Sequence, residues 1–269
     1  MKGVQVIVVA KRPVAGRVKT RLTPPYRPEQ AAALAHAALA DTLDAVARTR
    51  AVRRVLALED FADREPQRAS IPGRRERPGG DAGRTGAAVS FDVIAQRGGG
   101  LDERLAYAFA DAYAGCRTPM VLIGMDTPQV TPALLEAAAD ALGAADAVLG
   151  LAGDGGFWLL GLRRPDPDLL LGVPMSTVHT GAVQRARLLH AGLRLAEVPR
   201  LRDVDTAEDA AAVAAHAPHS TFAKTHARLA GSLPATRAGH TGGATASTPA
   251  GGAVMRGAAG VSARGGGAL

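Results

Sequence analysis

The sequence predicts an α/β fold, a single Rossmann-like domain with a mostly parallel sheet and helices on both faces. Three observations carry this. Short, β-branched apolar runs recur along the chain, at residues 4–10, 52–58, 91–95, 120–124, 145–151, 157–162 and 193–198. Helical patterns separate most of them, the alternation expected of βα units. The runs are nearly continuous in apolar character, as in strands covered on both faces.

The first run, from Val4 to Ala10, ends in Lys11-Arg12-Pro13-Val14-Ala15-Gly16-Arg17-Val18-Lys19-Thr20-Arg21-Leu22, a loop with five cations (Lys11, Arg12, Arg17, Lys19, Arg21) and no acid. Pro28 to Arg48 then predicts a helix, rich in Ala and Leu, with an apolar stripe through Leu34, Ala38 and Val46. After the strand at 52–58, residues 64–89 are dominated by Arg, Gly and Pro without a period, and are expected to be a flexible insertion. The pattern resumes with the strand at 91–95, Gly98-Gly99-Gly100, and a helix over 101–114. Beyond the strand at 120–124, Thr131 followed by Pro132 reads as a capped helix start. Helices are also expected over 177–191 and from about Asp205 to His216, the latter with a capping box made by Thr206 and Asp209. Residues 218–269 are Ala/Gly/Thr/Ser/Pro-rich and are expected to be a disordered tail behind a domain spanning 1–217.

Composition narrows the functional classes. No apolar span approaches 18 residues, which argues against a transmembrane helix. The apolar stretch at the N-terminus is too short and β-branched for a secretory signal. The single cysteine, Cys116, cannot form an internal disulfide and fits a reducing cytoplasm. The net charge is +7, but residues 218–269 hold five cations and no acid, leaving 27 cations against 25 acids in residues 1–217. With aromatics at 3%, there is little from which to build base-stacking platforms, so no specific nucleic-acid partner is expected.

The chemistry-bearing residues fall where strands end. In an open α/β sheet, ligands bind beyond the carboxyl ends of the strands. The cationic loop after the first strand is suited to phosphate, with Lys19 and Arg21 as charge stabilisers and Arg12, Gly16 and Arg17 as binding residues. It is not a Walker A loop, since Gly-x-x-x-x-Gly-Lys-Ser/Thr is absent. Asp126 follows the strand at 120–124 in Gly124-Met125-Asp126-Thr127-Pro128, as a hard-cation ligand or as an Asx-turn or cap. Asp203 and Asp205 precede the helix ending near His216, at a spacing that points both carboxylates the same way in extended chain; capping is the competing role. Asp154-Gly155-Gly156-Phe157-Trp158 offers a candidate general base, two glycines that admit a ligand to the backbone, and apolar surface; a tight turn with Trp158 in the core is the competing reading. Gln96, before the Gly-rich turn, is a further candidate binding residue. No histidine pair has metal-site spacing, and Gly-x-Ser-x-Gly and Cys-x-x-Cys are absent.

These motifs in order resemble a known group. Lys-x-Pro-x-x-Gly-x-Val-Lys-Thr-Arg-Leu (Lys11 to Leu22), Gly-x-Asp-x-Pro (Gly124 to Pro128), Asp-Gly-Gly-aromatic-aromatic (Asp154 to Trp158), Ser176-Thr177 and Asp-Val-Asp-Thr-x-Glu-Asp (Asp203 to Asp209) are similar to a bacterial family long catalogued as a domain of unknown function. Some of its members are described as arsenosugar-biosynthesis glycosyltransferases. The family is similar in turn to nucleotide-diphospho-sugar transferases of GT-A fold and to 2-phospholactate guanylyltransferase. The resemblance covers roughly residues 3–216 and implies phosphates in the first loop and Mg²⁺ or Mn²⁺ held by Asp126, Asp203 and Asp205. The chain departs from the family pattern at Met175, where Trp is usual, at Gly153, where an acid is usual, and at Asp102, where Gly is usual.

The expected function is metal-dependent glycosyl transfer from a nucleoside-diphosphate sugar to a small-molecule acceptor. Asp154 would activate the acceptor hydroxyl, with Gln96, Gly155, Gly156, Ser176 and Thr177 binding substrate. The alternative is a nucleotidyltransferase that joins a nucleoside triphosphate to a phosphorylated or phosphonate metabolite and releases pyrophosphate, for which five cations in one loop are better suited than for a diphosphate. A second alternative is a nucleotide-binding protein without catalysis.

Overall fold

The computed structural model describes residues 3–59, the backbone of 68–71, and 89–231. Eight strands form one sheet: β1 (Gln5–Ala10), β2 (Arg53–Leu58), β3 (Arg68–Ile71), β4 (Val89–Ala95), β5 (Met120–Gly124), β6 (Ala147–Ala152), β7 (Phe157–Leu162) and β8 (Leu195–Leu201), in the order β3-β4-β2-β1-β5-β7-β6-β8. Pairing is parallel for β1–β2, β1–β5, β2–β4 and β6–β8, and antiparallel for β3–β4, β5–β7 and β6–β7. The sheet is thus mostly parallel, with β3 and β7 reversed. The expected α/β class and helix-covered sheet are what the chain adopts.

The helices are α1 (Pro28–Arg48), α2 (Leu101–Gly115), α3 (Pro132–Ala144), α4 (Thr180–His190), α5 (Ala207–His216) and α6 (Thr221–Ala230). The continuous apolar character of β1 has a direct cause. Val6, Val8 and Ala10 face a core shared with α1 and α3, while Ile7 faces a second core built with α2 and α4. The single stripe expected on α1 is in fact two. Ala32, Ala35 and Val46 pack toward the sheet, and Leu34 and Ala38 pack on a third cluster with Val213 of α5 and Phe222 of α6. A helix pressed from both sides needs small residues, which accounts for its alanines.

Two boundary expectations are corrected. A tail beginning at 218 does not describe Thr221–Ala230, which is helical; Phe222 is 1% exposed in the third cluster and anchors it. Within the expected insertion at 64–89, residues 68–71 pair antiparallel with β4 and 89 opens β4, so this stretch is not all loop. Residues 60–67, 72–88 and 232–269 lie outside the described residues. Among the described residues, no helix is long and apolar enough to cross a membrane.

Candidate active site

At the carboxyl ends of the parallel strands, a cleft of about 670 Å³ is lined by the loop after β1, the turns after β5 and β6, the loop before α4 and the segment before α5. It brings together Arg17, Lys19, Arg21, Gln96, Asp126, Asp154, Gly156, Ser176, Thr177, Asp203 and Asp205. Arg12, Gly16 and Gly155 do not line it. Arg12 and Gly16 belong to the exposed part of the first loop, and Gly155 supports the turn from behind.

The first loop is folded onto the site by its apolar residues. Val18 and Leu22 are buried, and Lys19 between them takes a left-handed backbone (φ 50°) before a short 3-10 turn over Thr20–Leu22. That conformation turns the Lys19 side chain inward, where it is 8% exposed. Its Nζ lies 2.9 Å from Asp126 Oδ1 and 3.0 Å from Asp205 Oδ1. Burial works against the ammonium, but Asp126 and then Asp205 overcome it and hold the Lys19 pKa above its ordinary value. Arg21, largely exposed, reaches Asp205 Oδ2 at 3.3 Å.

The partners of the aspartates show which of them cap the helix. α5 is capped by Thr206, whose hydroxyl accepts from Asp209 N–H at 3.2 Å while the Asp209 carboxylate accepts from Thr206 N–H at 2.9 Å. The expected capping box therefore forms without Asp203 or Asp205. Asp154 closes its own turn, accepting from Gly156 N–H at 2.7 Å, and also faces the cleft. Trp158 is core, 3% exposed, and donates to the Pro199 carbonyl at 3.0 Å, while it and Phe157 both border the cleft.

Asp154, Asp203 and Asp205 bring one carboxylate oxygen each to within 4.8 Å of one another. Asp126 stands outside this triad and is linked to it through Lys19, which differs from the expected set of Asp126, Asp203 and Asp205. Asp203 Oδ1 is buried without a hydrogen-bond partner. Its burial, and next the negative charge of Asp154, push its pKa up to about 6. Three carboxylates gathered in this way, one with an unsatisfied buried oxygen, suit a hard divalent cation.

The segments that carry these acids are tied together by backbone. Val204 N–H donates to the Asp126 carbonyl at 3.0 Å, and Gln129 Nε2 to the Arg202 carbonyl at 2.5 Å. Gly155 N–H and carbonyl also serve the fold: the carbonyl accepts from Gly181 N–H at 2.8 Å, holding the start of α4 against the Asp154 turn. Gln96 is fixed by two donations, to the Ala10 carbonyl at 2.8 Å and the Ala57 carbonyl at 2.9 Å. The Gly98–Gly100 turn is closed internally, by Gly99 N–H to Glu103 at 2.8 Å, and does not line the cleft.

Several lining residues were not among the expected site residues, although Met175 is one of the departures from the family pattern. Val9, Leu101, Leu105 and Leu122 form an apolar side near Gln96, and Val178 and Met175 flank Ser176. The position of Leu101 and Leu105, one turn apart at the start of a helix that follows a strand end, was the available signal.

This fold and cleft define a GT-A-like transferase. The chain belongs to the DUF2064 family, described as uncharacterized proteins conserved in bacteria, whose profile matches residues 42–177. It is similar to a provisionally named nucleotide-diphospho-sugar transferase from Desulfovibrio desulfuricans G20, at 26% identity over 86% of this chain and 95% of that chain, with a TM-score of 0.68. More distant likenesses are Rv0371c from Mycobacterium tuberculosis H37Rv in complex with manganese (21% identity, 79% of this chain and 98% of that chain, TM-score 0.40) and a CMP:2-keto-3-deoxy-manno-octonic acid synthetase complexed with CTP (14%, 86% and 100%, 0.42). No curated protein sequence matches the chain.

Proposed function

We propose that this chain is a metal-dependent glycosyltransferase that takes a nucleoside-diphosphate sugar as donor and a small hydroxyl-bearing molecule as acceptor, working in the reducing cytoplasm to which its single cysteine is suited. The carrying observation is that Lys19 and Arg21 face Asp154, Asp203 and Asp205 in one cleft. Cations beside a carboxylate triad suit a diphosphate bridged to the protein by a divalent ion. The name of the Desulfovibrio relative supports the donor class.

Asp203 and Asp205, with Asp154, would hold Mg²⁺ or Mn²⁺; the unpartnered Asp203 oxygen and the like-charge crowding are what fit these residues to it. When bound, the ion neutralises charge on the departing diphosphate. Lys19 and Arg21 donate hydrogen bonds to the same phosphates, and Arg12 and Arg17 add charge from the loop. The apolar side near Gln96 takes the nucleoside. Asp154, at the rim beside Ser176 and Thr177, orients the acceptor hydroxyl and receives its proton.

The test is release of nucleoside diphosphate from a panel of sugar nucleotides with Mn²⁺ and hydroxylic acceptors. The reading expects release to fall at least about a hundredfold in Asp205→Asn. Unchanged release in that variant would remove the metal role.

The five cations of the first loop favour a second reading, nucleotidyl transfer, which releases pyrophosphate from a nucleoside triphosphate. The similarity to 2-phospholactate guanylyltransferase belongs to that reading, and the similarity to arsenosugar-biosynthesis enzymes to the first. Glycosyl transfer is preferred because, among the described residues, the lining contributed by residues 154–180 holds no cation to receive a phosphorylated acceptor. Nucleotide binding without turnover of either kind would leave the non-catalytic alternative.

A further inference from the structure

Lys19 holds a position that the proposed chemistry does not explain. A residue that serves only to bind phosphate would extend into the cleft from an exposed loop, as Arg21 does, with 70% of its side chain accessible. Lys19 instead is almost wholly buried, and its ammonium sits within hydrogen-bond reach of two carboxylates on separate segments, Asp126 after β5 and Asp205 before α5. The left-handed backbone at a non-glycine residue is what directs it there. Asp205 is at the same time a member of the one triad with cation-site spacing among the described residues. One Asp205 oxygen is engaged by Lys19 and the other by Arg21, so the ligand best placed to join the metal is already neutralised by protein cations.

Two cations compete for Asp205. An ammonium and a divalent ion placed on one carboxylate repel each other, and each lowers the affinity of the other. Phosphate offers Lys19 and Arg21 an alternative partner of the same sign as the aspartates. A nucleoside diphosphate arriving in the cleft would draw both cations off Asp205 and leave that carboxylate to the ion. We infer that Lys19 is a built-in counter-ion that keeps the acidic site closed to metal in the free protein and yields it when phosphate binds, so that metal and nucleotide load together. This rests on the metal-dependent reading above and extends it: Lys19 sets the order in which the site fills.

The experiment measures Mn²⁺ binding, by the electron paramagnetic resonance signal of the free ion, for wild type, Lys19→Met and Lys19→Arg, each with and without pyrophosphate as the phosphate probe. Wild type and Lys19→Arg should bind Mn²⁺ weakly alone and more tightly with pyrophosphate. Lys19→Met should bind Mn²⁺ alone about tenfold more tightly or better, with a smaller gain from pyrophosphate. Mn²⁺ affinity in folded Lys19→Met equal to or below that of wild type would overturn the inference and leave the metal reading standing. No Mn²⁺ binding by any of the three, with or without pyrophosphate, would overturn both.

A measurement on the unaltered chain guards against a variant that does not fold. The four lysines are Lys2, Lys11, Lys19 and Lys224. Mass spectrometry after reductive methylation should show Lys19 protected, relative to exposed Lys224, both in the free protein and with Mn²⁺ alone, with its labelling changed only by Mn²⁺ and pyrophosphate together. Labelling of Lys19 that Mn²⁺ alone changes, or that Mn²⁺ and pyrophosphate together leave unchanged, would overturn the inference.

Discussion

Gly155 shows how one residue can fix a functional carboxylate. Its φ is +93°, and a Cβ there would stand 2.1 Å from the Val178 carbonyl oxygen, which is backbone and cannot step aside. The Asp154 turn and the loop before α4 are thus pressed together through a missing side chain. Gly155→Ala should cost about 1–3 kcal/mol in urea unfolding from backbone strain alone, and should weaken metal binding by displacing Asp154. Asp203 makes the opposite bargain between stability and function. Its carboxyl titrates at about 6 in the fold, above its unfolded value, because burial and then Asp154 disfavour the charge. Stability contributed by this group is therefore fully present below the unfolded pKa and lost as pH rises through about 6. In EDTA at pH 7.5 or so, Asp203→Asn should be more stable than wild type by about 1–2 kcal/mol, discounted for partial solvent access, and the difference should vanish toward pH 4 or so. Equal stability at the higher pH would mean that the carboxylate is better solvated than its surroundings imply.

Among the elements, α6 was the least legible. Only Phe222 and Ala223 are buried on it, so its apolar stripe is narrow and the surrounding Ala/Gly-rich composition masks it. Ser220 caps it locally, accepting from Ala223 N–H, but a second cap is remote: the Asp41 carboxylate on α1 accepts from the Thr221 and Phe222 N–H groups at 2.9 and 2.7 Å. The cap supplied from 180 residues away leaves no local signal, and the lone serine is a weak one. A fragment ending at Ala217 should therefore be less stable than one ending at Gly231 by about 2–5 kcal/mol, from lost capping and the emptied Phe222 seat, as read by urea midpoints. Strands and capped helices were readable because their causes are local: β-branched runs, Thr131 before Pro132, and Thr206 three residues before Asp209. The reversal of β7 was not among the expectations, although its cause is also local. The four residues Gly153 to Gly156 between β6 and β7 are too few for a crossover, and so require an antiparallel return. Membership of the metal triad was not readable, because it depends on which strands become neighbours. β7 enters between β5 and β6, and the hairpin turn that precedes it carries Asp154 to the edge where Asp203 and Asp205 arrive.

At the scale of the whole molecule, the sheet separates two edges with different duties. The carboxyl edge gathers the loop after β1, the turn after β5, the β6–β7 turn and the segment before α5, all of which face the cleft. The opposite edge is closed by structural contacts: Gln5 donates to the Cys116 carbonyl, Arg53 pairs with Asp92 at 2.6 Å and donates to the Ala112 carbonyl, and Asp146 binds Arg194. With the lower edge already satisfied by the fold, a ligand has groups to engage at one edge only. Hydrogen exchange with Mn²⁺ and a bound sugar nucleotide should therefore slow in residues 11–22, 124–129, 153–157 and 202–206. Segments 49–52, 116–119 and 190–194, which precede β2, β5 and β8, should exchange as before. Protection spread evenly over both edges would instead indicate a global tightening of the sheet, and protection confined to the lower edge would place the ligand away from the cleft and remove the basis for assigning these four aspartates to one site.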